Sequence, residues 1–273
     1  MKPRPFDYVR PDTADEAVAL LAEHGDEARV LAGGQSLMAM MNFRLADPGM
    51  LIDISRIEEL EGIRDLGEKI EVGAAVTQNK LLAWPDLSKK LPLLAAALPF
   101  VGHFQTRNKG TVCGSVAHAD PSSEIPLSLA TLQGEVVLRS KQRGEHVLAA
   151  KDFQLDILTT AREADELIVA VRFPVHAGRG VAFREVARRQ GDFAMVAVAA
   201  FIEDKGHLRL GIGGMAGTPV VQRMAIDGMT DVIETIASGL EGYEDLHASA
   251  ELRRDILRNL APLVIAEAQK CAA

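Results

Sequence analysis

Cysteine and aromatic residues are scarce in this sequence of 273 residues, and each scarcity excludes a class of protein. There are only two cysteines, Cys113 and Cys271, which is too few for a disulfide scaffold, a structural zinc site or an iron–sulfur cluster built by this chain alone. Aromatic residues make up 4% of the chain, which disfavours the stacking platforms that bind single-stranded nucleic acids.

An excess of positive charge is also lacking, since 38 acidic residues outnumber 30 basic ones and the formal net charge is −8. A protein that binds polyanions by their charge needs the opposite balance, so no nucleic-acid partner is expected. The longest apolar runs, such as FAMVAVAAFI at 193–202, are far too short to span a membrane. The first 17 residues contain no apolar segment typical of a secretory leader, so the sequence predicts a cytoplasmic protein.

The order of periodic segments predicts an α+β protein with two domains. Thr13 and Glu16 form a capping-box pattern at the start of a helix. Strands are predicted at 50–55, 69–76 and 166–174, and helices close the chain. The segment VHAGRG at 175–180 is the best domain boundary, and the three strands that follow it closely predict an antiparallel arrangement.

Two segments of small residues are candidates for an anion site. AGGQS (32–36) follows a strand and precedes a helix with Ser36 at its N-cap, and TVCGS (111–115) follows the loop FQTRNKG. Small residues let backbone N–H groups converge on an anion, so two such segments could hold the two phosphates of a dinucleotide. Ordinary glycine turns are the alternative. Neither segment matches the Rossmann or P-loop motif, and GIGGMAG at 211–217 is better explained by a bulge or turn.

Taken together, these segments resemble a known family: the FAD-binding medium subunit of the molybdenum hydroxylases, the group of carbon monoxide dehydrogenase and xanthine dehydrogenase. The resemblance rests on segments that follow one another in order over most of the chain. They are LAGGQSL (31–37), LIDISRI (51–57), TRNKGTVCGSVAHADPSSEIP (106–126), ELIVAVRFP (166–174) and AFREVARRQGDFAMVAVAA (182–200).

The resemblance implies an FAD-binding domain of the vanillyl-alcohol-oxidase (PCMH) type over 1–175, with subdomains at about 1–57 and 58–175. A smaller C-terminal α/β domain over 176–273 would contain a three-stranded antiparallel sheet. It also implies a partner large subunit with a molybdenum cofactor and a partner small subunit with two [2Fe–2S] clusters, assembled as a dimer of heterotrimers. Electrons would pass from the clusters to FAD and then to an external acceptor, and this subunit would carry no catalytic or metal-binding residue of its own.

The resemblance further assigns residues to FAD. Backbone amides of the first segment would hold the pyrophosphate, and the second segment would face it. Two carboxylates would lie near the adenosine and ribityl part, and three residues would lie near the flavin, where a cation would stabilise the anionic reduced form. The first segment contributes Ala32, Gly33, Gly34, Gln35, Ser36 and Leu37, and the second contributes Thr111, Cys113, Gly114 and Ser115. The two carboxylates are Asp120 and Glu124. The three residues near the flavin are Ile168, Arg184 and Phe193, of which Arg184 is the cation.

One departure from the family pattern bears on this site. Most relatives have Gly-Gly-Asn where this chain has Cys113, Gly114 and Ser115. A side chain at position 113 is therefore expected to crowd the cofactor. An assembly subunit that has lost FAD is one alternative, and a self-contained flavin oxidoreductase of the same superfamily is another.

The second segment also offers chemistry unrelated to a cofactor. His118 with Asp120 could begin a metal site, but no further ligand is placed by spacing. Asp120 with Glu124 could be an acid–base pair, and Cys113 a reactive thiol. We expect instead that His118 lines the cofactor loop, that the carboxylates contact cofactor or solvent, and that Cys113 fills a tight space.

Overall fold

The computed structural model describes residues 2–176, 179–240 and 242–271, and the predicted α+β class is confirmed. Each of the three larger sheets in these residues packs against helices. The helices are α1 Ala14–His24, α2 Leu37–Phe43, α3 Gln78–Leu82, α4 Leu87–Lys90, α5 Pro92–Ala97, α6 Phe104–Lys109, α7 Val112–His118, α8 Glu124–Thr131, α9 Ala150–Phe153, α10 Met229–Gly239 and α11 Ala250–Cys271. No helix in the described ranges is long and apolar enough to cross a membrane.

The N-terminal sheet contains three parallel strands, β1 Asp7–Val9, β2 Ala28–Leu31 and β3 Met50–Asp53, in the order β1-β3-β2. Helix α1 connects the first two strands and begins where the sequence predicts. The Thr13 Oγ1 accepts a hydrogen bond from the Glu16 N–H at 3.2 Å, and the Glu16 carboxylate accepts one from the Asp12 N–H at 2.9 Å. These bonds satisfy N–H groups that have no partner within the helix.

The second sheet has five antiparallel strands in the order β4-β5-β10-β6-β7. They are β4 Ile63–Asp65, β5 Lys69–Gly73, β6 Glu135–Ser140, β7 Gly144–Ala149 and β10 Glu166–Pro174. Between β7 and β10 lies a small ribbon of β8 Gln154–Asp156 and β9 Thr159–Thr160. Strand β10 is central and almost entirely buried, which explains its near-continuous apolar sequence. Its register shifts between Ile168 and Ala170.

The third sheet has four antiparallel strands in the described residues, so the prediction of a three-stranded sheet is wrong. Its strands are β11 Val181–Ala187, β12 Ala194–Ile202, β13 His207–Gly213 and β14 Val220–Ala225, in that order. The additional strand β14 lies at the sheet edge with only Met224 buried. An exposed edge strand does not need the apolar pattern by which strands are predicted.

The glycines of β13 have a packing role rather than the predicted bulge or turn. A Cβ at Gly211 would lie 1.9 Å from the Thr131 Oγ1, and one at Gly213 would lie 3.2 Å from the Leu127 Cδ2. Both of these neighbours belong to α8. The missing side chains therefore let α8 lie directly on the third sheet.

The third sheet separates two apolar cores, because alternate residues of a strand face opposite sides. Phe183, Ala197 and Phe201 belong to the core shared with the first two sheets, whereas Ala182 and Val198 belong to the core under α10 and α11. The predicted boundary at 175–180 lies between β10 and β11, although residues 177 and 178 are outside the described residues.

Candidate functional site

A cavity of about 720 Å³ lies between the two segments of small residues, which is in the range of small-molecule and cofactor sites. Thirteen of the fifteen predicted site residues border it. They are Ala32, Gly33, Gly34, Gln35, Ser36, Leu37, Thr111, Cys113, Gly114, Ser115, Glu124, Ile168 and Phe193.

The first segment presents a run of backbone donors to this cavity. The N–H groups of Gly33, Gly34, Gln35 and Ser36 have no backbone or side-chain acceptor within the described residues. Gly34 has φ +68°, a conformation that favours glycine. Ser36 precedes α2 at the predicted N-cap, but its side chain makes no capping hydrogen bond. Its hydroxyl and the four N–H groups are therefore available to a ligand.

The second segment is the first turn of helix α7 rather than a loop. Thr111 is the N-cap, and its Oγ1 accepts a hydrogen bond from the Gly114 N–H at 2.9 Å, while the Ser115 N–H donates to the Thr111 carbonyl at 3.2 Å. Two donors of this segment are occupied in this way. The N–H groups of Thr111 and Cys113 have no acceptor in the part of the chain that the structure describes.

The two segments approach each other through glycines. A Cβ at Gly33 would lie 2.1 Å from the Lys109 carbonyl oxygen and 2.7 Å from the Gly110 Cα. Gly110 is fixed in turn by its carbonyl, which accepts from the Gln78 N–H at 2.8 Å. Only a residue without a side chain at position 33 allows the backbones to come this close.

The thiol of Cys113 lies in the core, in agreement with the expectation that it fills a tight space. Its Sγ–H donates to the Val72 carbonyl on β5 at 3.4 Å, and the residue is 3% exposed within the core. Burial raises the pKa of this thiol, so it is a packing group and not a reactive thiolate. Because the thiol is directed at β5, the structure does not support the expectation that this side chain crowds a cofactor.

Two predicted residues lie away from the cavity. Arg184 is on the face of β11 that packs against α11, where its Nε donates to the Glu267 carboxylate at 2.7 Å. The Asp120 Oδ1 accepts from the Ser122 N–H at 2.8 Å, which closes a turn before α8. Arg184 lies on this face because side chains alternate along a strand. Asp120 is held where it is because its carboxylate closes a local turn.

The loop between β11 and β12 forms part of the cavity rim. Gly191 has φ +85°, and a Cβ there would lie 2.7 Å from the His103 Cε1. Phe193 follows it, borders the cavity and is 58% exposed. The third sheet thus contributes an aromatic side chain to a site made mostly by the first two.

Two arginines at the cavity were missed by the sequence reasoning. Arg29 lies on β2 and Arg162 follows β9, and both border the cavity. The Arg162 Nη1 donates to the Glu163 and Glu166 carbonyls at 2.7 and 2.8 Å. Burial and, to a smaller degree, the charge of Arg29 lower the pKa of Arg162. The two cations are 133 positions apart in sequence, and only the tertiary structure brings both to one cavity.

The acidic side of the cavity contains Glu124 and, beside it, His118. Burial raises the pKa of Glu124 to about 7, with the Asp120 charge contributing in the same direction. Burial also lowers the pKa of His118. No group of three or more His, Cys, Asp or Glu residues in the described ranges could hold a metal ion, so a metal site at His118 and Asp120 receives no support.

These features suit an elongated ligand with a central anionic group. Six unpaired N–H groups on two facing segments can donate to phosphate oxygens, and three hydroxyls, of Ser36, Thr111 and Ser115, border the same cavity. Arg29 and Arg162 add positive charge. Apolar residues including Ile168 and Phe193 complete the wall.

Comparisons with known proteins identify what the chain is similar to. Residues 4–176 match the FAD binding domain in molybdopterin dehydrogenase. The chain is 38% identical over 225 residues to the caffeine dehydrogenase subunit beta of Pseudomonas sp. (strain CBB1), covering 81% of this chain and 76% of that one. It is 34% identical to the 6-hydroxypseudooxynicotine dehydrogenase complex subunit alpha of Paenarthrobacter nicotinovorans, covering 98% and 96%.

Solved structures give the same result over the whole length. Carbon monoxide dehydrogenase from Hydrogenophaga pseudoflava, in a form that lacks the Mo-pyranopterin moiety of the molybdenum cofactor, contains a chain with a TM-score of 0.94 and 32% identity. Quinoline 2-oxidoreductase from Pseudomonas putida 86 contains one with a TM-score of 0.91 and 33% identity. Each comparison covers 100% of both chains.

Proposed function

Because the chain belongs to the family of FAD-binding domains in molybdopterin dehydrogenases, we propose that it is the FAD-binding electron-transfer subunit of a molybdenum hydroxylase. It takes electrons from [2Fe–2S] clusters in a partner subunit and passes them through FAD to an external acceptor. The observation that carries the proposal is the pair of facing segments with six unpaired backbone N–H groups at one cavity.

The residues present fit FAD. The N–H groups of 33–36 and those of Thr111 and Cys113 bind the pyrophosphate, whose oxygens need donors and not a counter-charge alone. Glu124 serves the hydroxyl-bearing part of the cofactor, and Ile168 and Phe193 lie beside the flavin. Bound FAD supplies electron-transfer chemistry that no side chain offers. Arg184 and Asp120 are left out of this site because neither borders the cavity.

The domain organisation we propose follows the same family. Residues 1–57 and 58–175 form the two subdomains of an FAD-binding domain of the vanillyl-alcohol-oxidase type, and 176–273 form the C-terminal domain. The distribution of strands supports this division, since each of the three larger sheets draws its strands from one of these segments.

A protein partner is proposed at the rim of the cavity. Leu155, Ile157, Leu158 and Phe193 are between 47% and 58% exposed, and the last two border the cavity. Exposed apolar side chains that cluster in this way are typical of interaction sites. We assign the rim to the small [2Fe–2S] subunit. A large molybdenum-cofactor subunit completes the heterotrimer, which forms a dimer of heterotrimers in the cytoplasm.

The FAD assignment is tested by purifying the full chain and recording its visible spectrum before and after adding FAD. A flavin spectrum with one FAD per chain is expected. A colourless protein that takes up no FAD would refute the proposal. Turnover of a substrate by the isolated chain would instead favour a self-contained flavin oxidoreductase.

The partner assignment is tested by co-expressing the chain with the products of its flanking genes. The purified complex is expected to contain iron and molybdenum together with FAD. Leu155→Asp with Ile157→Asp should release the iron-containing subunit, whereas Leu246→Asp is a matched control, because Leu246 is 99% exposed and does not border the cavity. Retention of iron by the double variant would argue against this rim as the contact.

A further inference from the structure

The side-chain amide of Gln78 is a buried polar group at the wall of the cavity of about 720 Å³. Gln78 is 5% exposed, and its Oε1 is buried without a hydrogen-bond partner among the described residues. An unpaired buried carbonyl oxygen costs free energy, so such atoms are rare in folded proteins. Seven side chains in the described part of the chain contain an unpaired buried atom, and of these only Gln78 borders the cavity.

Backbone hydrogen bonds fix Gln78 beside the second segment of small residues. Thr77 pairs with Thr111 in an antiparallel bridge, and the Gln78 N–H donates to the Gly110 carbonyl at 2.8 Å. Gln78 is also the first residue of α3, whose N-cap is Thr77. The backbone, and not any contact of the amide itself, therefore holds this side chain at the cavity.

The amide lies where the two segments of small residues meet. A Cβ at Gly110 would lie 3.1 Å from the Gln78 Oε1 and 3.2 Å from its Nε2, so the amide packs directly against Gly110. The Gly110 Cα is in turn the atom that a Cβ at Gly33 would approach to 2.7 Å. Gln78 is therefore next to the two segments whose N–H groups bind the pyrophosphate in the proposed function.

The unpaired oxygen needs a donor from the ligand. An ionised pyrophosphate offers only acceptors, whereas the parts of FAD on either side of it contain hydroxyl groups, which can donate. From Gly110 the cavity wall continues to Gly102, against which Gly191 of the rim loop packs, since a Cβ there would lie 3.1 Å from the Gly102 carbonyl carbon. This wall leads to Phe193, which lies beside the flavin in the proposed function. The hydroxyl groups on this side of the pyrophosphate are those of the ribityl chain.

We propose that Gln78 contacts FAD, and that its Oε1 accepts a hydrogen bond from a hydroxyl group of the ribityl chain. This inference rests on the proposed function. The polypeptide by itself leaves this oxygen unpaired, so the amide stabilises the complex with FAD and not the fold. It also makes the site selective, because a ligand that contains the pyrophosphate but no ribityl chain gains nothing from Gln78.

Gln78→Met tests this role, because methionine is unbranched and of similar length but has no amide. When the full chain is freed of FAD and titrated with it, the dissociation constant should rise roughly tenfold, as for the loss of one hydrogen bond. The affinity for ADP, measured by calorimetry, should stay within about twofold of wild type, because ADP has no ribityl chain. The urea midpoint of the FAD-free variant should equal or exceed that of wild type, because no hydrogen bond of the fold is lost.

Gln154→Met is the matched control. Gln154 is 9% exposed, and its Nε2 donates to the Ala119 carbonyl at 3.1 Å, so the same substitution removes a hydrogen bond that the fold contains. The control should lower the urea midpoint of the FAD-free chain. It should leave the FAD affinity unchanged, because Gln154 does not border the cavity. The two variants thus have opposite expected effects on stability and on FAD binding, which a general loss of structure does not produce.

Three results would overturn the inference. Unchanged FAD affinity in Gln78→Met would mean that a water molecule suffices as the partner of Oε1. An equal loss of affinity for FAD and ADP would place the donor outside the ribityl chain. A lowered urea midpoint of the FAD-free variant would make Gln78 a residue of the fold. A wild-type chain that takes up no FAD would instead refute the proposed function, while the urea midpoints of the two variants would still decide whether the amide is unpaired.

Discussion

Replacing Gly33 by alanine tests whether the close approach of the two segments makes the site. The added Cβ would lie 2.1 Å from the Lys109 carbonyl oxygen, and ordinary contacts begin at 3.4 Å. The backbones must therefore separate by about 1.3 Å, because the neighbouring atoms are main-chain atoms that cannot rotate away. Overpacking of this kind costs about 1–3 kcal/mol.

This free-energy cost destabilises the arrangement in which the N–H groups of both segments face one ligand. If it appears in FAD binding, the dissociation constant rises by roughly 5- to 150-fold, since about 1.4 kcal/mol corresponds to a factor of ten. The assay is titration of the FAD-free chain with FAD, followed by fluorescence, together with thermal unfolding without FAD.

Gly239→Ala is the matched control, because a Cβ at Gly239 meets nothing within 4 Å and this glycine lies at the end of α10. The control should bind FAD as the wild type does. If Gly33→Ala matched the control in both FAD affinity and unfolding temperature, the reasoning from the close approach would be refuted.

Three further predictions follow from single residues. Cys113→Ala should leave the FAD affinity within about twofold of wild type, because the thiol points to Val72. A large gain in affinity would show instead that the thiol crowds the cofactor. Loss of this buried group should lower the free energy of unfolding by about 1 kcal/mol. Arg253→Met should lower the free energy of unfolding in urea by about 1–3 kcal/mol, since Arg253 is 1% exposed and its loss leaves the Gly214 carbonyl without the hydrogen bond it accepts at 2.9 Å. Its other partner, Asp245 at 2.7 Å, is 35% exposed and stays solvated. An unchanged midpoint would contradict this. Burial raises the pKa of Glu124 to about 7 in the folded chain, so its contribution to stability is complete below the unfolded pKa of about 4.3 and is lost as the pH rises through 7. Glu124→Gln should therefore be more stable than wild type at pH 8 by about 1–3 kcal/mol, and equal stability at pH 8 in chemical denaturation would contradict the raised pKa.

The local pattern of the sequence is enough to predict most elements of the fold. The capping box at Thr13 and Glu16, the apolar run of β10 and the three closely spaced strands from β11 to β13 each depend on neighbouring residues alone. Strand β14 was missed because an exposed edge strand has little apolar pattern. The helical start of the second segment was missed because glycine and serine there favour a turn as readily as a helix.

The candidate site divides in the same way. Both segments of small residues were predicted, because glycine at positions 33 and 34 leaves the backbone accessible whatever surrounds it. Arg29 and Arg162 were not, since nothing near either residue in sequence indicates that the two meet at one cavity.

The sequence by itself determined the order of helices and strands, the two anion-binding segments and the family, because these depend on local pattern and on motifs that stay in order along the chain. Only the tertiary structure decided which side chains face the cavity. The pleat of β11 directs Arg184 to Glu267 and Glu185 to the other face, and packing on β5 directs the Cys113 thiol into the core. A one-residue difference on a strand reverses the side, and that choice is made by what the sheet packs against.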